Sequence, residues 1–185
     1  MKIVAYYTYD TPYEQEVPEF EESLRKFDLN FQVYRTAPRK SWVANCALKP
    51  FILKKAIEET DDDILYVDID ARCVRKPPFE ELKFCRKPAF PIFGHELLSG
   101  TMYFPNNELS RRLLEDWYGS QKSNPGQWDQ KVLHRVVKAL YPDDYIKLGL
   151  HWVKIFDNQR MDLKGENPVF VHYQASRKNK RIVGR

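Results

Sequence analysis

The run Ile64-Leu65-Tyr66-Val67 constrains this chain more than any other feature. Four consecutive large apolar residues leave a strand no polar face, so both of its faces must be covered. Such a strand belongs at the centre of a sheet with helices on either side. The rest of the chain fits that demand, because strand patterns and helical patterns alternate along it, as in an α/β sheet with crossover helices. With 185 residues, of which 43% are hydrophobic, the chain suits one folded domain with one core.

Periodicity places the other elements. Lys2–Tyr7 reads as the first strand, followed by a helix through Glu19–Phe27 with Phe20, Leu24 and Phe27 on one face. Asn30–Tyr34 reads as the second strand. Ser41 can cap a helix carrying Val43, Ala47 and Leu48. Pro50 removes an amide donor, so that helix kinks or restarts before running through Phe51, Ile52, Ala56 and Ile57. Ala89–Phe93 and Thr101–Phe104 read as strands between turn residues. Asn106 or Asn107 starts a helix whose face is Leu109, Leu113, Leu114, Trp117 and Tyr118. A further helix spans Trp128–Leu140, with Leu133, Val136, Val137 and Leu140 inward. Val169–Val171 reads as a last short strand. Residues 1–175 form the domain, and residues 176–185 are a basic tail.

Composition excludes several classes. The formal charge of +4 suits an anionic substrate or partner without diagnosing a nucleic-acid binder. Cys46, Cys73 and Cys85 contain no CxxC pair, which argues against a disulfide framework or a zinc knuckle and fits a reducing cytoplasm. The apolar run of MKIVAYYTYD is too short for a signal peptide. No segment reaches the ~18 apolar residues of a membrane span.

The apolar strand is followed at once by Asp68-Ile69-Asp70. In extended backbone, residues i and i+2 point to one side, so the two carboxylates can together grip Mg²⁺ or Mn²⁺. Ligands of open α/β sheets bind at the C-terminal ends of strands, which is where this pair falls. Asp61-Asp62-Asp63 precedes the same strand and lies about 17 Å away, taking ~3.3 Å per residue. It reads as a solvated loop. His172, at the end of the last strand, is either a satisfied histidine or a ligand for a borderline metal. Asp129 and Gln130 lie three to four residues from Leu133 and so near the inward face of their helix. Asp129 can also serve there as an acid favoured by the helix dipole. Gly100, in Leu98-Ser99-Gly100-Thr101, permits close backbone approach. Lys49, Arg72 and the cations of Ser176–Arg181 are candidates for a phosphate, and the tail is equally a solvated segment or a contact for a nucleic-acid backbone.

Taken in order, YVDIDARCVRKP, LLSGTMYFP, GQWDQKVL and VFVHYQASRKNK resemble GT-A glycosyltransferases. The likeness is to the glycogenin-like and lipopolysaccharide-galactosyltransferase-like family, whose members retain anomeric configuration. It covers about the last two-thirds of the chain. One departure is visible: the family's later motif usually has a glycine soon after the histidine and a Lys-Pro-Trp ending, whereas this chain reads His172-Tyr173-Gln174-Ala175-Ser176-Arg177-Lys178.

The resemblance implies a single GT-A domain, Rossmann-like, with a mixed and mostly parallel sheet. It implies a hexosyltransferase-like enzyme that moves sugar from a nucleotide-diphosphate sugar, UDP-sugars being favoured, to a hydroxyl acceptor. Asp68, Asp70 and His172 would hold Mn²⁺ or Mg²⁺, with Asp70 engaging it through both oxygens. Tyr6, Tyr7 and Thr8 would meet the base, and Ser99 and Gly100 the donor sugar or acceptor. Asp129 and Gln130 would lie beside the anomeric carbon, and Lys178 on the diphosphate. The acceptor can be a saccharide, a protein or DNA, and the oligomeric state is open. Two other readings use the same residues. Paired carboxylates also serve metal-dependent nucleotidyltransferases and phosphatases, although Tyr6–Asp10 lacks the glycine-rich phosphate loop usual in nucleotidyltransferases. A non-catalytic nucleotide-sugar-binding module would keep the fold without turnover.

Overall fold

The structure, a computed structural model, describes residues 1–155 and 167–175. Ten strands are present among the described residues. The main sheet contains β1 (Lys2–Thr8), β2 (Phe31–Thr36), β3 (Ile64–Val67), β5 (Ala89–Phe93), β6 (Glu96–Leu97), β7 (Thr101–Phe104) and β8 (Ile146–Leu148). Its order is β2-β1-β3-β7-β5-β6, with β8 also on β5. β1 is parallel to β2 and β3, and β8 is parallel to β5. β7 is antiparallel to both β3 and β5, and β6 to β5. The sheet is therefore mixed but mostly parallel, with only β6 and β7 reversed.

The apolar run is the fully buried strand that its composition demands. Ile64 and Tyr66 pack into one core, and Leu65 and Val67 into the other. The first core lies against α3 (Lys49–Glu58), α4 (Glu108–Ser123) and α5 (Asp129–Leu140). The second lies under α1 (Val17–Arg25), whose Phe20 and Leu24 are fully buried. The local signals work as their chemistry requires. Ser41 caps α2 (Trp42–Cys46) by accepting from Ala44 N at 3.2 Å, and Asn107 caps α4 by accepting from Ser110 N at 3.0 Å. Pro50 sits in the first turn of a restarted helix, α3, where its missing N–H costs nothing.

Two expectations need correction, the inward placing of Leu140 and the solvated reading of Asp61–Asp63. Leu140 is 58% exposed, because α5 ends there; Val132 joins the buried stripe, and Tyr141 just beyond the helix is buried in the same core. The final strand, β10 (Phe170–His172), lies outside the main sheet. It forms a second sheet, β4-β10-β9, with β4 (Ala71–Cys73) and β9 (Val153–Ile155). Asp61–Asp63 is at the far end of β3, as its distance requires, but it is more than a solvated loop. Asp63 accepts from Tyr103 Oη at 2.8 Å and from Asn106 N at 2.7 Å, and Asp62 pairs with the N-terminal ammonium at 3.1 Å.

Asp63 therefore ties the start of β3 to the end of β7. Asp63→Ala leaves the Asn106 N–H without its acceptor and the Tyr103 hydroxyl with a longer contact to Cys85 O at 3.2 Å, and the expected loss is about 1–3 kcal/mol of stability. Urea denaturation checks this, and an unchanged midpoint would show that the anchor is dispensable.

Candidate active site

Asp68 and Asp70 leave the C-terminal end of β3 in a turn, with Ala71 N donating to Asp68 O at 3.0 Å. The turn, rather than an extended i, i+2 pair, brings the two carboxylates together. The chain then enters β4, which is antiparallel to β10 with Ala71 opposite His172. That register sets the histidine beside Asp70. Tyr173 N also donates to Asp70 O at 2.9 Å, and Ala175 N to Asp70 Oδ2 at 2.9 Å. One Asp70 oxygen, Oδ2, thus accepts from the backbone. The other, Oδ1, faces His172 Nδ1 at 3.9 Å.

One ligand atom from each of Asp68, Asp70 and His172 lies within 4.8 Å of the others. Gly100 makes room for them. A Cβ on it would stand 3.1 Å from both Asp68 Oδ2 and His172 Cε1, so the close approach this glycine allows is to the triad itself. Asp68 N donates to Gly100 O at 2.9 Å, carrying the β3–β7 pairing to the rim of the site. Thr101 Oγ1 lies 2.9 Å from His172 Nε2 and fixes the ring from behind.

Lys49 is not positioned as an open phosphate contact. It is 5% exposed at the start of α3, and its ammonium lies 3.0 Å from Asp68 Oδ1 and 2.9 Å from Asp129 Oδ2. It also donates to Ser99 O at 3.1 Å. Burial opposes its charge, but Asp129 and Asp68 outweigh burial and raise its pKa above the ordinary lysine value. Asp129, at the first position of α5, accepts from Ser99 Oγ at 2.9 Å, and Gln130 Oε1 from Ser99 N at 3.3 Å. Both residues of this pair therefore point inward. Arg72 is elsewhere: its guanidinium pairs with Glu16 at 2.6 Å and Glu19 at 2.8 Å on another surface. Lys178 and the tail lie outside the described residues.

These groups line a cavity of about 210 Å³. Tyr6, Tyr7 and Thr8 border it from the end of β1, as do Ser99 and Gly100 from the loop before β7. Tyr6 is largely committed, its hydroxyl donating to Asn45 O at 3.0 Å. Several lining residues went unnoticed in the sequence. Tyr66 donates its hydroxyl to Asp68 Oδ1 at 2.6 Å. Its signal was available, since it lies two residues before Asp68. Tyr13, Trp42 and Cys46 also reach the cavity, and nothing local in the sequence marks them for it; Trp128, which reaches it too, stands in GQWDQKVL directly before Asp129.

Burial, then the charge of Asp68, pushes the Asp70 carboxyl up to about 7, against the pull of the Ala175 amide. Burial holds His172 down at about 4, so its ring is neutral at pH 7. The two act oppositely on metal-free stability. Folded Asp70 keeps its proton from 3.8 up to about 7, so it makes stability fall as pH rises through that window. His172 takes its proton more readily when unfolded, between about 4 and 6.5, so it makes stability rise there.

A family model for nucleotide-diphospho-sugar transferases matches residues 81–181, just over half of the sequence. The fold is that of a GT-A-like nucleotide-sugar glycosyltransferase. The chain belongs to the nucleotide-diphospho-sugar transferase family. The matched segment includes Ser99, Gly100, Asp129, Gln130 and His172 and begins after Asp68 and Asp70. No curated protein matches the chain in sequence. Among solved structures, a glycosyltransferase involved in the glycosylation of the major capsid of PBCV-1 is similar in fold. It has a TM-score of 0.74 at 16% identity, over 98% of this chain and 97% of that one. The glycosyltransferase GlyE of Streptococcus pneumoniae TIGR4 has a TM-score of 0.63 at 15% identity, over 93% of this chain and 54% of GlyE. At such identities the likeness is one of fold.

Two predictions follow from this geometry. Lys49→Met leaves Asp68 and Asp129 without their shared cation, and the expected cost is about 3–5 kcal/mol in thermal or chemical unfolding. A variant as stable as the parent would mean that the lysine is not holding the cluster. Carbon-detected NMR of metal-free protein should show Asp70 titrating near 7, and Asp68→Asn should lower that midpoint. An Asp70 midpoint in the usual carboxylate range would contradict the buried, charge-crowded site.

Proposed function

We propose that this glycosyltransferase uses a divalent cation, Mn²⁺ or Mg²⁺, to transfer a sugar from a nucleoside-diphosphate sugar to a hydroxyl acceptor, with retention. UDP-sugars are the favoured donors. The observation that carries the reading is the set of three donor atoms from Asp68, Asp70 and His172, all within 4.8 Å of one another at the cavity. Two further points support a cation there. Donors on opposite sides of a cation with bonds of about 2.1–2.4 Å lie roughly 4.2–4.8 Å apart, so the cluster has a suitable span. Three carboxylates (Asp68, Asp70, Asp129) face one ammonium (Lys49), and a dication would offset the excess negative charge.

When bound, such a cation would supply Lewis-acid stabilisation of the departing diphosphate. The remaining chemistry belongs to the chain's own residues. Gly100 keeps the floor low enough for Asp68 and His172 to approach each other. Ser99 and Lys49 hold Asp129 in a fixed direction, and Ser99 N orients Gln130. An Asp129 carboxylate ion-paired at 2.9 Å is a poor nucleophile. That favours the retaining route in which the leaving phosphate takes the acceptor's proton. Tyr7 and Thr8 at the end of β1 are read as facing the base.

The acceptor is a saccharide, a protein or DNA. One fold relative takes part in glycosylating a viral major capsid, which gives a protein-borne acceptor some support. No helix of the described residues is long and apolar enough to cross a membrane. With three free cysteines, a cytoplasmic location is the reading we favour.

Asp70→Ala should lower Mn²⁺-dependent UDP release from a UDP-sugar by about 10²–10³ or more while the circular dichroism spectrum stays native. Turnover like that of the parent would rule out this site. The anomeric proton of the product, read by NMR, should keep the donor's configuration, and an inverted product would remove the retaining assignment.

A further inference from the structure

The cavity has two chemically different parts. One is the charged floor already described. The other is an aromatic wall built from Tyr13, Trp42 and Trp128, three residues the transfer chemistry above leaves without a role. They come from separate parts of the chain. Tyr13 lies in the 3₁₀ turn after β1, Trp42 opens α2, and Trp128 is the residue immediately before α5.

The wall is built as a unit. Trp42 Nε1 donates to Tyr13 Oη at 2.8 Å, so the indole is held from behind. Trp42 then meets Trp128 edge to face, with ring centroids 5.2 Å apart and planes at 65°. Rings at that angle cannot both lie flat on one ligand, so one stacks and the other braces it. Trp128 is the stacking ring, because it is the more exposed at 36%, while Trp42 is half-buried. Trp128 presents part of its indole to the cavity, apolar area of the kind that the apolar face of a ligand covers.

We infer that Trp128, braced by Trp42, is the acceptor subsite, and that its ligand is a hexopyranose. A pyranose ring offers a flat face of C–H groups to an indole while its hydroxyls remain hydrogen-bonded at the edge. A nucleobase also stacks, but base selection needs polar groups along the ring edge. The groups read as meeting the base, Tyr7 and Thr8, stand at the end of β1, whereas Trp128 immediately precedes α5. Position favours the acceptor as well. Trp128 directly precedes Asp129 and Gln130, which are locked to Ser99 beside the triad. A sugar on Trp128 therefore lies next to the place where the donor sugar is read to sit. This assignment rests on the proposed donor site, with the nucleotide on the charged floor.

Saturation-transfer NMR tests it with the full-length protein and two kinds of probe. One is a panel of methyl α- and β-hexopyranosides, and the other is UDP with Mg²⁺. At least one glycoside should receive saturation through its ring C–H protons. Trp128→Ala should weaken that glycoside roughly five- to tenfold, as expected for loss of one aromatic contact. Trp128→Phe should restore most of the binding, and UDP affinity should stay within twofold in both variants. A large loss of UDP affinity in Trp128→Ala would assign the wall to the nucleoside and overturn the proposal. Glycosides that bind the alanine variant as well as the parent, or that bind neither, would also overturn it. Failure of the donor reading has a different signature: UDP does not bind the parent protein, while the glycoside measurement still reads the wall.

Discussion

The site depends on one buried ammonium. Lys49 lies between Asp68 and Asp129 at 3.0 and 2.9 Å and also reaches Ser99. Those three partners come from the end of β3, the start of α5 and the loop before β7. The β3–β7 pairing joins the first and the last of these, and the Lys49 ion pairs, with the Ser99 hydrogen bonds to Asp129 and Gln130, bring the start of α5 to the same point. Burying a lysine is costly unless opposite charge and hydrogen bonds surround it. Here two carboxylates and a serine do so, and the arrangement fixes Asp129 and Asp68 relative to each other before any substrate arrives.

A second constraint brings in His172. The small sheet β4-β10-β9 begins one residue after Asp70, and its antiparallel register sets His172 across from Ala71. Backbone bonds from Tyr173 and Ala175 to Asp70 close the same corner. Gly100 supplies the space, since any side chain there would crowd both Asp68 and His172. The triad is thus assembled from strand pairing on two sheets, with one glycine between them. Burial, with the Asp68 charge added, raises the Asp70 pKa, and burial depresses that of His172, so both groups lean towards their neutral forms without a cation.

Much of the fold was legible because its signals are local. Four apolar residues in a row require a strand covered on both faces, and Ser41, Pro50 and Asn107 mark helix starts by their own hydrogen-bonding chemistry. Distance along β3 was enough to separate Asp61–Asp63 from the cleft. Side-chain destinations were harder to read. A lysine on a helix normally reads as a surface charge, so the burial of Lys49 between two carboxylates depends on tertiary contacts that no spacing rule contains. Arg72 looked like a phosphate contact until Glu16 and Glu19, more than fifty positions away, proved to hold it. Asp63 looked solvated for a similar reason, because its partners Tyr103 and Asn106 belong to a distant strand end. Even the carboxylate pair converges through a turn, although extended geometry suggested the same proximity.

The proposed metal centre joins Asp68, Asp70 and His172 on one divalent cation. Pulsed electron paramagnetic resonance of Mn²⁺ added to the protein tests it most directly, with histidine labelled by ¹⁵N. A single bound Mn²⁺ is expected, with nuclear coupling to one imidazole nitrogen that is lost in His172→Ala. Bound Mn²⁺ without nitrogen coupling, or coupling that survives in His172→Ala, would contradict it.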